Sequence, residues 1–128
     1  MKQVAAAIAL NRGKVLVARR APGENLAGYW EFPGGKLEDG ESPHVCIIRE
    51  LQEELNLAAE AGEILAESVY EYPGGSINLI GVSVKLLSDE IQLSVHDQID
   101  WVAPSALLSI NLAPADIAIA EELVRRYG

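Results

Sequence analysis

Glu50, Glu53 and Glu54 stand three and four residues apart, the spacing that puts side chains on one face of a helical turn. Carboxylates held that close repel one another. A solvated acidic face is the plain alternative, but the surroundings favour chemistry. A Gly34-Gly35 turn precedes the trio, Glu41 adds a further acid, and Arg49 sits beside the cluster. Clustered carboxylates become favourable around a hard divalent cation, and Mg²⁺ takes oxygen ligands and shared waters, usually together with substrate phosphates. The stretch from Gly35 to Leu57 also holds Glu38 and Asp39. It predicts a Mg²⁺ site for phosphate chemistry, with Mn²⁺ as the alternative ion.

The element that must hold these groups is a helix opening at Ser42. Ser42 is suited to the N-cap, and Pro43 to the first helical position, where its missing N–H would have no partner. Ile47, Ile48, Leu51 and Leu55 then form one apolar stripe facing a core. Upstream, residues 3–10 and 15–20 flank Asn11-Arg12-Gly13-Lys14 and predict a β-hairpin. Residues 21–28 form a loop, and the aromatic strand Tyr29 to Phe32 enters Pro33-Gly34-Gly35, where two glycines let the backbone come close to a ligand. Downstream, residues 63–72 and 76–87 predict a second hairpin around Pro73-Gly74-Gly75. Residues 88–100 are polar and acidic, a loop around a short strand. Residues 101–103 make a last strand, and Pro104 starts a short helix over residues 105–109. Residues 115–127 form a terminal helix with Ile117, Ala120, Leu123 and Val124 on its apolar side. Strands and helices interleaved in this way suit a mixed sheet between helical layers.

Gly35, Glu41, Arg49-Glu50-Leu51, Glu53-Glu54 and Leu57, at these intervals, resemble the Nudix box. One fixed position departs: the box has Gly where this chain has Asn56. That Gly ends the helix at a left-handed position, and Asn is the commonest other residue tolerated there, so the departure is expected to cost no chemistry. Beyond the box, ARRAPGENLAGYWEFPGGKLEDGES and LAPADIAIAEEL resemble Nudix hydrolases of the MutT type, and the likeness covers nearly the whole chain. The resemblance implies one Nudix domain over residues 1–128, an α/β/α sandwich with a mixed sheet. It also implies Mg²⁺-assisted attack of water inside the phosphate chain of a nucleoside triphosphate, giving the monophosphate and pyrophosphate.

It assigns roles as well. Glu50, Glu53 and Glu54 would hold metal, with the Gly34 carbonyl as an extra ligand, and Glu53 would take the proton of the attacking water. Arg49, and Glu41 from the loop, would orient the glutamates. Arg20 and Lys36 are the cations placed to meet phosphate oxygens, with ordinary surface charge as the alternative. Phe32, next to the glycine turn, is assigned to a base pocket, while Trp30, Tyr70, Tyr72 and Trp101 are expected in the core. Asp116 is expected either to read the base edge or to cap the last helix. An ionised Asp only accepts hydrogen bonds and so wants N–H donors. Counting donors ranks 8-oxo-dGTP first and CTP or 5-methyl-dCTP second. The family commonly has a Glu where this chain has Val95, with Asp97 as the substitute if the loop shifts. His44 and His96 lack metal-ligand spacing and receive no role.

The composition sets outer limits. The 128 residues carry a net charge of −9, which argues against DNA or RNA polymers as the main ligand. A nucleotide differs, because Mg²⁺ supplies positive charge locally. The lone cysteine, Cys46, cannot make an internal disulfide and is expected to pack in the core, which suits a reducing compartment. Without an apolar run of membrane-spanning length or a signal-peptide pattern, the expectation is a cytoplasmic protein, monomeric or weakly dimeric. Two other classes remain in view. A non-hydrolytic Nudix-like binding module would have no need for repelling carboxylates, and an enzyme for capped RNA or nucleotide sugars fits the acidic charge and small size less well.

Overall fold

In the computed structural model, which describes residues 1–128, the first strand, β1 (Lys2–Asn11), is buried on both faces. Ala5, Ala7 and Ala9 point to one side, Ala6 and Ile8 to the other, and all five are at most 2% exposed. This follows from the two-residue period of a strand, and the small alanines let a helical layer approach each side. The alanine-rich run is therefore the centre of the sheet.

The hairpin expected between β1 and β2 (Lys14–Arg20) exists only at its tip, where Leu10 pairs with Val15 and Asn11 with Lys14. Beyond the tip the strands part. β1 runs parallel to β6 (Gly75–Leu86) from Lys2–Ile77 to Ala9–Val84, and pairs antiparallel with β4 (Gly34–Lys36). β2 pairs antiparallel with β3 (Trp30–Glu31) and β7 (His96–Val102). The second hairpin forms as expected between β5 (Ala59–Tyr72) and β6, although β5 starts four residues earlier than residue 63, at Ala59. β7 likewise begins at His96 rather than Trp101, because its polar first half is edge pairing against β2. The result is a seven-stranded mixed sheet.

Helix α1 (Pro43–Leu55) covers the face of Ala5, Ala7, Ala9 and Leu16 with Cys46, Ile47, Leu51 and Leu55. Helix α2 (Pro114–Tyr127) and a 3₁₀ helix at Pro104–Ser109 cover the opposite face, where Leu107, Ile119, Ala120 and Leu123 meet Ile8, Val15 and Val17. This is the expected α/β/α sandwich. Two stripe positions are corrected: Ile48 and Ile117 are exposed, each about 40%. At roughly 100° per residue each lies one step past the packed face, and Cys46 and Ile119 take the core positions instead. Both ends of α1 follow the sequence. Ser42 Oγ accepts from the Val45 N–H at 3.1 Å, and Asn56 closes the helix in the left-handed region at φ 57° and ψ 35°.

Candidate active site

Two strand contacts bring the glycine turn under α1. Gly34 pairs with Ala6 and Gly35 with Ala5. A Cβ on Gly34 would meet Ala5 O, and one on Gly35 would lie against the Glu50 carboxyl carbon; both approaches are far inside van der Waals contact. The two glycines are thus required for separate reasons, one to seat β4 on β1 and the other to leave room for Glu50.

Arg49 is the hub of the helix face. Its Nε and Nη2 each donate to a Glu41 oxygen at 2.8 Å, and its Nη1 donates to Glu50 Oε1 at 2.8 Å and Glu53 Oε2 at 3.2 Å. Nη2 also reaches the Lys36 carbonyl at 3.2 Å. The planar fork of a guanidinium suits this two-oxygen grip on Glu41. Arg49 and the Glu38 N–H hold the Glu41 carboxyl down at about 2, and the Arg49 guanidinium is itself held above its ordinary range by Glu41. Cys46 is packed as expected. Burial pushes its thiol up to about 12, and its Sγ lies 3.4 Å from Gly35 O.

The three box glutamates differ sharply. Glu53 has a side chain 58% exposed, whereas Glu50 is mostly buried. Glu54 is pushed up to about 8, first by burial and then by the charge of Glu50, and its Oε1 is buried with no donor. The carboxylates do not converge as a ready set of three ligands, since Arg49 draws Glu50 and Glu53 to itself. Their donor chemistry nevertheless fits a hard divalent cation. All are oxygens, and an orphaned buried carboxylate oxygen beside other anions is a group that a cation would satisfy.

On the α2 side of the sheet lies a cleft of about 470 Å³, walled by Val4, Leu26, Tyr72 and Ile77, with Glu31 and Asp116 contributing carboxyls. Asp116 lies in the first turn of α2 yet does not cap it; the N-cap is Ala113, which offers no side-chain bond. Instead Asp116 Oδ2 accepts the Phe32 N–H at 2.9 Å. The carboxyl is only 5% exposed, and burial followed by the charge of Glu31 raises it well above the ordinary Asp range, against the pull of that N–H. Phe32 does not line the cleft. Its ring is buried in the core, so the residue contributes its backbone, and Tyr72 supplies the aromatic wall, its hydroxyl accepting the Ala115 N–H at 3.1 Å.

The two cations differ in freedom. Lys36 is exposed at the end of β4 and makes no ion pair. Arg20 is occupied, with Nη1 3.4 Å from Glu31 Oε2, Nη2 3.6 Å from Glu24 and Nε donating to Asn25 O. Asp97, the expected substitute for a glutamate at Val95, is held by Arg19 at both its oxygens, at 2.8 and 3.1 Å, on an exposed part of β7. Glu31 and His96 carried no sequence signal taken up above, yet they are joined: His96 Nε2 lies 2.8 Å from Glu31 Oε2, with the imidazole fully buried. The usable signal was alternation, since Glu31 sits between two aromatics and must face away from them.

A helix–sheet–helix sandwich with a glutamate-bearing helix packed on a glycine turn defines a phosphate-processing class, and a family model described as NUDIX domain matches residues 1–125. The chain belongs to the Nudix family and is a Nudix hydrolase. It is 40% identical to the CTP pyrophosphohydrolase of Escherichia coli strain K12 over 121 residues, covering 94% of this chain and 90% of that one. The 8-oxo-dGTP diphosphatase of the same strain is 29% identical over 128 residues, covering 98% and 99%. Among solved structures, the MutT protein from Methanosarcina mazei Go1 superposes with a TM-score of 0.87 at 25% identity, over 98% of this chain and 94% of that one. No helix here is long and apolar enough to cross a membrane.

Proposed function

We propose that this chain hydrolyses cytidine-type nucleoside triphosphates, CTP or 5-methyl-dCTP, to the monophosphate and pyrophosphate. The observation that carries the choice of base is Asp116, a nearly buried carboxyl in the cleft whose environment favours its neutral form. A neutral carboxyl offers one donor beside an acceptor. Cytosine presents the complement on its edge, the N3 acceptor beside the exocyclic amine. An 8-oxoguanine edge offers N1–H and an amine together, which suits an ionised carboxylate. The order expected from counting donors on an ionised Asp therefore reverses. The likeness to the CTP pyrophosphohydrolase supports the same reading. The second reading, 8-oxo-dGTP and sanitation of the nucleotide pool, draws on the full-length likeness to the 8-oxo-dGTP diphosphatase.

Glu50, Glu53 and Glu54, with the Gly34 carbonyl, would hold Mg²⁺ or Mn²⁺. Bound there, the ion supplies charge neutralisation for the leaving pyrophosphate and an activated water. Glu53, the most exposed of the three, takes the water's proton as its oxygen bonds to phosphorus and the bridging P–O bond breaks. Arg49 and Glu41 keep the glutamates oriented, and Lys36 meets a phosphate oxygen. The buried free Cys46 supports a reducing setting such as the cytoplasm. Incubation with CTP and Mg²⁺, followed by separation of the products, is expected to yield CMP and pyrophosphate. Release of CDP and inorganic phosphate would overturn the assigned bond.

A further inference from the structure

Glu31 lines the cleft together with Asp116. Its charge acts both on Asp116, at the proposed base end, and on Glu54 of the glutamate helix. The carboxylate is held on one side only: Oε2 faces His96 Nε2 at 2.8 Å and Arg20 Nη1 at 3.4 Å, while Oε1 has no protein donor and is not among the fully buried orphan atoms. His96 is built for this contact. Its ring is fully buried, and its other nitrogen, Nδ1, has no partner. Nε2 is therefore the ring nitrogen that donates to the carboxylate oxygen. Burying an imidazole with one nitrogen unsatisfied is costly, and the one side-chain hydrogen bond it makes is to Glu31.

We propose that Glu31 reads the sugar: its free Oε1 accepts a hydrogen bond from the ribose 2′/3′ hydroxyls of the bound nucleotide, and His96 is the positioning residue that aims it. The proposal rests on the cleft holding the nucleotide with its base at Asp116. A nucleotide lying so, with its phosphates at Glu50, Glu53 and Glu54, passes its sugar beside Glu31. An ionised carboxylate suits that role because it only accepts, and hydroxyls supply the donor. Sequence signals for this role were faint, since Glu31 lies in the run that resembles the MutT type but receives no role there, and His96 lies outside both quoted runs.

The test compares kcat/KM for CTP, dCTP and 2′,3′-dideoxy-CTP. Wild type is expected to lose about tenfold to a hundredfold from CTP to the dideoxy compound, the range for a hydrogen bond to a charged acceptor. Glu31→Met should erase that ratio. Where it fails to fold, Glu31→Gln should reduce the ratio by about tenfold, since a neutral acceptor bonds more weakly. His96→Leu should erase the ratio too, and His96→Gln, which keeps a donor to Oε2, should restore it. A merely structural histidine would lower Tm without moving the ratio. The proposal is overturned if wild type treats the three nucleotides alike, or if the Glu31 variants slow all three equally. Failure of the base assignment would show differently, as loss of preference among CTP, UTP and 8-oxo-dGTP with the sugar ratio intact.

Discussion

Phe32 donates its backbone N–H to Asp116 Oδ2 at 2.9 Å, which ties the strand entering the glycine turn to the first turn of the last helix. One end of that strand leads to Gly34 and Gly35, against which Glu50 packs. The hydrogen bond therefore ties Asp116, in the cleft, to the strand that leads to the glutamate helix.

Glu53→Gln keeps size and helix propensity and removes the proton acceptor. It should lower kcat by about a hundredfold or more, with KM within about threefold, as expected when general-base catalysis is lost. Steady-state kinetics on CTP check this, and undiminished turnover would remove Glu53 from the mechanism.

The pH dependence of the metal-free protein carries two opposite signs. Glu54 binds its proton more tightly folded, at about 8, than unfolded, so stability falls as pH rises from the ordinary Glu range towards 8. Glu41 is depressed to about 2, so its stabilisation is present above the ordinary Glu range and is lost as pH falls towards 2. Thermal melts of Glu54→Gln in chelator should show a higher Tm than wild type at pH 8 and no gain at pH 4. Glu41→Gln should lower Tm at neutral pH. A Glu54→Gln protein less stable than wild type at pH 8 would contradict the account.

The two glycines of the turn should fail differently. Gly35→Ala puts a methyl against the movable Glu50 carboxyl, so activity should fall by about tenfold or more while the fold survives. Gly34→Ala drives its methyl into the Ala5 backbone, and the strain should cost about 3 kcal/mol or more. Kinetics and denaturant melts on the pair separate the two effects. Equal stability losses would show that Glu50 cannot move aside.

Asn56 sits at φ 57°, so Asn56→Gly should be neutral to mildly stabilising, within about 1 kcal/mol, and Asn56→Ala should destabilise by about 1 kcal/mol. Glycine forgoes the Asn56 contacts to Gln52 and Glu90, which limits the gain. Urea melts decide it, and an alanine variant as stable as wild type would remove the left-handed strain from the explanation.

The ends of α1 were legible because Ser42, Pro43 and Asn56 act on the backbone within a turn of themselves. The pairing of β1 was not. Its partner β6 lies far along the chain, and the turn at Arg12-Gly13 advertises only the hairpin tip. Ile48 and Ile117 show the limit of stripe reading, since hydrophobicity alone does not say which edge of a stripe meets the sheet. In the site, the Arg49 hub was anticipated from the box. Glu31 and His96 depend on β3 and β7 flanking β2, a long-range arrangement that neither residue's neighbours encode. The upward push on the Asp116 carboxyl was likewise hidden, because it comes from burial against elements distant in sequence.

The reading of cytosine by a neutral Asp116 is tested most directly by kcat/KM for CTP and 8-oxo-dGTP, measured side by side on wild type and Asp116→Ala with Mg²⁺ present. Wild type should favour CTP by about tenfold or more, and Asp116→Ala should bring the two substrates within about threefold, as expected when a buried polar group that discriminates by hydrogen bonding is removed. A wild-type preference for 8-oxo-dGTP, or a ratio unchanged in Asp116→Ala, would contradict it.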